Sequence, residues 1–110
     1  MLVNTRHRGN SSSDILSSTT ASANSSEFSI SDGSKATIFC DKNILPSEEI
    51  KLQIKKPDNT FIDVYSDGYL LELSATNNTF TMYGKGIYRI VKSVTADPIG
   101  IYAYNISFDL

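Results

Sequence analysis

From Glu27 onward the apolar side chains of this chain return at every second position, and that period constrains the fold more than any other feature. The clearest stretch runs from Ile50 to Lys55: Ile50, Leu52 and Ile54 share one face of an extended strand, and Lys51, Gln53 and Lys55 share the other. A helix would scatter the three apolar residues around its surface. The same alternation sets Ala36, Ile38 and Cys40 against Lys35, Thr37 and Phe39, and sets Tyr102, Tyr104, Ile106 and Phe108 against Ile101, Ala103, Asn105 and Ser107. Between these segments stand turn formers: Asp32-Gly33-Ser34, Pro57-Asp58-Asn59, Ser66-Asp67-Gly68 and Gly84-Lys85-Gly86. Each supplies a preset or permissive backbone angle. The expectation is an all-β chain, an antiparallel β-sandwich or flattened barrel of seven or eight short strands over residues 27–110.

Ahead of residue 27 the composition differs. From residue 9 to 26 the chain is mostly Ser, Thr, Asn, Ala and Gly, broken by Ile15 and Leu16. Small polar side chains lose backbone freedom on ordering and bury little apolar area in return. Residues 1–26 therefore read as a flexible polar N-terminal arm, with residues 14–26 either continuing it or forming a short, loosely held edge strand. An arm that orders against a neighbouring subunit would give Ile15 and Leu16 a place to bury.

With 110 residues there is room for one domain with a modest core. The net charge of −2 and the dispersed basic residues lack the positive field that nucleic-acid binding needs. Cys40 is the single cysteine, so neither an intrachain disulfide nor a thiolate metal cluster is expected, and its phase with Ala36 and Ile38 makes it a core thiol. No apolar run follows Met1–Arg8 and no stretch reaches the length of a membrane helix, so neither a secretion signal nor a membrane partner is expected. His7 has no catalytic neighbour. Glu48 and Glu49, adjacent on extended chain, point apart. Asp58, Asp63 and Asp67 match no compact calcium loop. The chain reads as a non-enzyme with no catalytic residue, no metal and no cofactor.

Its surface chemistry points to binding. Arg6 and Arg8, flanking His7, form the one local basic cluster. Tyr65, Tyr69 and Tyr83 stand near turns, where tyrosine serves protein interfaces. The absence of tryptophan argues against a sugar-stacking platform. Ile15, Leu16, Phe28 and Ile30 are candidates for exchange of an edge strand with a neighbour.

The segment Thr60-Phe61-Ile62-Asp63-Val64, followed by Gly86-Ile87-Tyr88-Arg89-Ile90-Val91 and a closing alternating strand, resembles small virion proteins of tailed bacteriophages over residues 27–110. The resemblance implies a β-sandwich behind a polar arm, acting without catalysis as a capsid decoration or head-associated protein. It implies the major capsid protein or another virion protein as partner, a homo-oligomeric state, and a place in the virion after synthesis in the bacterial cytoplasm. The alternative is a tail or adsorption accessory protein carrying a receptor- or glycan-binding module.

Overall fold

A computed structural model of the protein describes residues 12–106. Its strands are β1 (Ser12–Thr19), β2 (Ala23–Asn24), β3 (Phe28–Ile30), β4 (Lys35–Cys40), β5 (Ile50–Lys55) and β6 (Phe61–Asp63), then β7 (Tyr65–Ser66), β8 (Tyr69–Leu70), β9 (Glu72–Leu73), β10 (Thr79–Tyr83), β11 (Gly86–Lys92) and β12 (Ile99–Tyr104). A four-stranded sheet has the order β1-β12-β4-β10, and a six-stranded sheet the order β2-β11-β5-β6, with β3 also on β11 and β9 on β5. The hairpin β7-β8 is a separate two-stranded sheet. All pairings are antiparallel.

The all-β class is found, but the expected sandwich or barrel of seven or eight strands is not. Among the described residues twelve strands lie in three separate sheets that do not close. Two local devices interrupt the edges of the six-stranded sheet. Around Ser25 the edge beside β11 carries an extra residue: Val91 stands opposite Asn24 and Tyr88 opposite Phe28. There Ser25 donates its N–H to Ile90 O at 2.9 Å while its hydroxyl accepts the Ile90 N–H at 2.9 Å. A side chain thus does the work of a backbone carbonyl, and one continuous edge becomes β2 and β3. Beyond β6, Val64 keeps the same register, donating its N–H to Leu52 O at 3.1 Å, but Leu52 donates its own N–H to Leu71 O at 3.0 Å, so the six residues between Val64 and Leu71 leave the β5 ladder as their own hairpin.

Alternate residues of the long strands bury together. Ala36, Ile38 and Cys40 from β4, Phe80 and Met82 from β10, and Ile99, Ile101 and Ala103 from β12 join Phe28, Ile30, Ile50, Leu52, Leu73, Tyr88 and Ile90 of the six-stranded sheet in one hydrophobic cluster. Ile15 on β1 belongs to it as well. Of the segment read as an arm, residues 1–11 lie outside the described residues, while Ser12–Thr19 pairs along β12 as an edge strand with irregular register. Ile62, in phase with Val64 on β6, stays 47% exposed because β6 is the outermost strand of its sheet.

Three buried positions among the described residues are polar, Ser25, Lys92 and Thr95, and one of them carries a charge. Lys92 follows Tyr88 and Ile90 on the inner face of β11 and is only 1% exposed. Its ammonium donates to Ala21 O at 2.9 Å and Ser93 O at 3.0 Å. Ala21 lies where the chain leaves β1 in one large sheet for β2 in the other, so Lys92 fastens that crossing. Burial lowers its pKa, opposed by the nearby Glu48 carboxylate.

Phe28 is fully buried and stacks on Tyr88 at a centroid distance of 6.2 Å. Truncating it to alanine leaves a cavity between β3 and β11. Phe28→Ala is expected to lower unfolding stability by about 3–5 kcal/mol, read as a shift of the urea midpoint. A loss below about 1 kcal/mol would mean that the core closes over the gap.

Candidate functional site

The hairpin β7-β8 is the element least absorbed into the core. Asp67 and Gly68 at its turn have φ of 54° and 84°, the doubly left-handed geometry whose twist matches a two-residue hairpin. At its base Leu71 donates its N–H to Val64 O at 2.9 Å, and Leu52 on β5 donates its N–H to Leu71 O at 3.0 Å. The stem is therefore held by β5 and the tip is free. Tyr65 stands opposite Leu70, and Ser66 opposite Tyr69. Directly opposed residues share a face, so the two tyrosines occupy opposite faces. They are 62% and 77% exposed, and Ser66, Asp67 and Gly68 between them are also exposed. Two phenols, a hydroxyl and a carboxylate on a narrow tip give a surface rich in rigid aromatic area and hydrogen-bonding groups, the chemistry of a protein-binding loop.

The other expected interface residues disperse. Tyr83 is 71% exposed but sits at the end of β10 in the four-stranded sheet. Ile15, Phe28 and Ile30 are buried, and Leu16 packs against the core, so none of these offers a free surface for strand exchange. They were candidates because an apolar residue in a polar stretch needs burial, and the chain's own core supplies it. Arg6 and Arg8, with His7, lie outside the described residues.

A second aromatic group was not anticipated. Phe39 stacks on Tyr102 at 5.6 Å and meets Tyr104 at 5.4 Å on the outer face of the four-stranded sheet. The phase of the tyrosines on β12 is visible in the sequence, but their meeting with Phe39 depends on the β4–β12 register, which places Tyr102 opposite Phe39. The Asp41 carboxylate, 3.5 Å from the Tyr102 hydroxyl, raises that phenol's pKa.

Several other polar groups have structural partners. Residues 60–64 and 86–91 meet across β5: the Arg89 guanidinium lies 4.0 Å from the centre of the Phe61 ring and its Nε donates to Gln53 Oε1 at 2.9 Å. Gln53 Nε2 donates to Asp63 Oδ1 at 2.9 Å, and Lys51 reaches Asp63 Oδ2 at 3.3 Å. Lys55 pairs with Glu27 at 3.2 Å. Asp58 closes the Pro57 turn by accepting the N–H and hydroxyl of Thr60. Glu48 accepts the N–H groups of Leu45 and Ala96, tying two loops together, and those bonds lower its pKa. Among the described residues no three His, Cys, Asp or Glu side chains gather in a way that could hold a metal ion. The buried Cys40 thiol donates to Lys42 O at 3.2 Å, and burial pushes its pKa up.

Two solution tests follow from these environments. Cys40 should resist a thiol reagent in the native protein and label readily in urea; rapid native labelling would show an open core. The hydrogen bond from Gln53, and then Lys51, hold the Asp63 carboxyl below its ordinary value against partial burial. A depressed folded-state pKa gives stability that is complete above the unfolded value near ~3.9 and is lost as pH falls through the folded one. Asp63→Asn should therefore lower the urea midpoint at neutral pH, with the gap closing in acid. A gap unchanged between neutral pH and pH ~3 would rule out that linkage.

No protein-family model, curated protein or solved structure matches the chain.

Proposed function

We propose that this chain is a non-enzymatic virion structural protein, a capsid decoration or head-associated component, that works by protein–protein binding through the tip of the β7-β8 hairpin. The observation that carries the binding reading is the pair Tyr65 and Tyr69, largely exposed on opposite faces of a hairpin whose base is fastened to β5. Exposed tyrosines on a fixed stem offer contact area at small entropic cost, the usual make-up of an interface anchor. The resemblance carried by Phe61, Asp63, Tyr88 and Arg89 supplies the setting, with the major capsid protein or another virion protein as the partner and the virion as the location.

A tail or adsorption role with a glycan-binding module is the second reading. Sugar stacking needs aromatic faces lining a common groove. Tyr65 and Tyr69 point to opposite sides of the hairpin, and Tyr83 belongs to another sheet, which favours a protein partner that grips the tip from both sides.

Co-sedimentation with phage heads tests the proposal. The wild-type protein should bind saturably, at a fixed number of copies per particle. The double variant Tyr65→Ser/Tyr69→Ser should bind at least ~10-fold more weakly with an unchanged melting temperature, a loss of ~1.4 kcal/mol or more. Absence of wild-type binding to heads would overturn the decoration role and turn the search to tails and receptors. Equal binding by the double variant would take the hairpin tip out of the contact.

A further inference from the structure

The open edges of the two large sheets are not alike. β1 is interrupted by register shifts between Asp14 and Leu16 and between Leu16 and Thr19. β2 and β3 are separated by the Ser25 irregularity, and Glu27 stands between them. β6 is three residues long, ends in Asp63 and follows Pro57 closely; β9, beside the same strand, has two residues. Short length, bulges, charges and proline are the devices by which proteins keep sheet edges from pairing with other chains. β10 has none of them. Its sequence, Thr79-Phe80-Thr81-Met82-Tyr83, carries no charge and no proline, and its register with β4 is unbroken from Thr79 opposite Phe39 to Tyr83 opposite Lys35.

The ladder also fixes which backbone groups face outward. Cys40 donates its N–H to Asn78 O, directly opposite in the β4–β10 register. Directly opposed residues that hydrogen-bond alternate with pairs that do not. Asn78, Phe80 and Met82 therefore bond to β4, while the N–H and C=O groups of Thr79, Thr81 and Tyr83 point to the open edge.

From this we infer that β10 is a self-association edge, pairing antiparallel with β10 of a second copy about a two-fold axis at Thr81. That register sets Thr81 against the second copy's Thr81, and Thr79 against its Tyr83. Every outward N–H and C=O of β10 then meets its complement. Phe80 falls opposite the second copy's Met82 on the core side, so apolar faces apolar. No charged side chain opposes another, so the contact is free of the like-charge repulsion that guards other edges. A closed two-fold contact ends at two copies, and it joins two four-stranded sheets into one continuous sheet. A single short strand pair buries far less than the ~1,600 Å² of a standard interface, so association is weak and concentration-dependent. The inference extends the protein–protein reading to a second copy of this chain, and its test uses the isolated protein, so it stands or falls apart from capsid binding.

Sedimentation equilibrium over a concentration series tests it. Thr81 is exposed and its hydroxyl meets, among the described residues, only that of Thr37, at 3.2 Å, so Thr81→Lys and Thr81→Glu should each keep the far-UV circular dichroism of the wild type, with the melting transition shifted by a few degrees at most. Each variant alone places like charges against each other at the two-fold axis and should raise the dimer dissociation constant at least ~10-fold. An equimolar mixture of the two should restore dimers, because Lys then faces Glu; a variant that had merely damaged the strand would not be rescued. The inference is overturned by a wild-type chain that stays monomeric up to ~1 mM, leaving the edge to a strand of a different protein. It is equally overturned by variants that dimerise like the wild type, or by a mixture that stays monomeric.

Discussion

The shared hydrophobic cluster between the two large sheets is the constraint from which the rest of the molecule follows. β4 and β12 on one side, and β5 and β11 on the other, each bury every second side chain in it. A strand has two faces, so fixing the inner set also fixes the outer one. Because Ile101 and Ala103 point inward, Tyr102 and Tyr104 must point outward, where they meet Phe39. Because Ile50 and Leu52 point inward, Lys51, Gln53 and Lys55 form the half-buried outward row that Asp63, Arg89 and Glu27 satisfy. A slip of one residue in any of these strands would move its apolar set to solvent, and this makes the outer chemistry as strongly specified as the core.

The polar groups drawn into this interior are tied to chain direction. The first strand belongs to one large sheet and the next two to the other, so the chain must cross between them at Thr20–Ser22. Backbone carbonyls at such a crossing leave the ladders and need other donors. Lys92 supplies one from the inner face of β11 to Ala21, and Thr95 donates its N–H to Thr20 O at 3.0 Å. One step later the Ser25 hydroxyl does the converse, accepting the Ile90 N–H in place of a backbone carbonyl. A lysine gains nothing from burial itself, and its depressed pKa marks that cost; the two carbonyls it satisfies are the physical reason for its place.

What could be read from the sequence was the local period. Ala36, Ile38 and Cys40, and Ile50 and Leu52, are buried in the phase that alternation predicts, and the turns at Pro57 and Asp67 occur where their residues demand. The partition into sheets was not legible. It depends on Leu52 giving its N–H to Leu71 rather than Val64, which sets β7-β8 apart, while the Ser25 hydroxyl splits β2 from β3 within one sheet; neither leaves a periodic trace. Ile15 looked stranded among small polar residues because its burial partners lie on β12 and elsewhere, some ninety positions away in the chain. Long-range register hid the Phe39–Tyr102–Tyr104 group for the same reason, whereas Tyr65 and Tyr69 flank a local turn whose residues stand in the sequence.

The residues that carry the resemblance and the residues offered for binding differ in what they hold up. Phe61, Gln53, Asp63 and Arg89 interlock across three adjacent strands, so their identities are set by mutual contact on a sheet face. Tyr65 and Tyr69 contribute little to the core, and the outward side chains of Thr79, Thr81 and Tyr83 are exposed. A sequence pattern made of the first group reports how the six-stranded sheet is held together, and proteins with unrelated partners could share it. Under the proposed binding roles, partner choice would rest instead on the second group, where a change in side chain alters the surface without disturbing the packed interior. That separation would let a small all-β chain keep one fold while the proposed contacts at the hairpin tip and the β10 edge change independently.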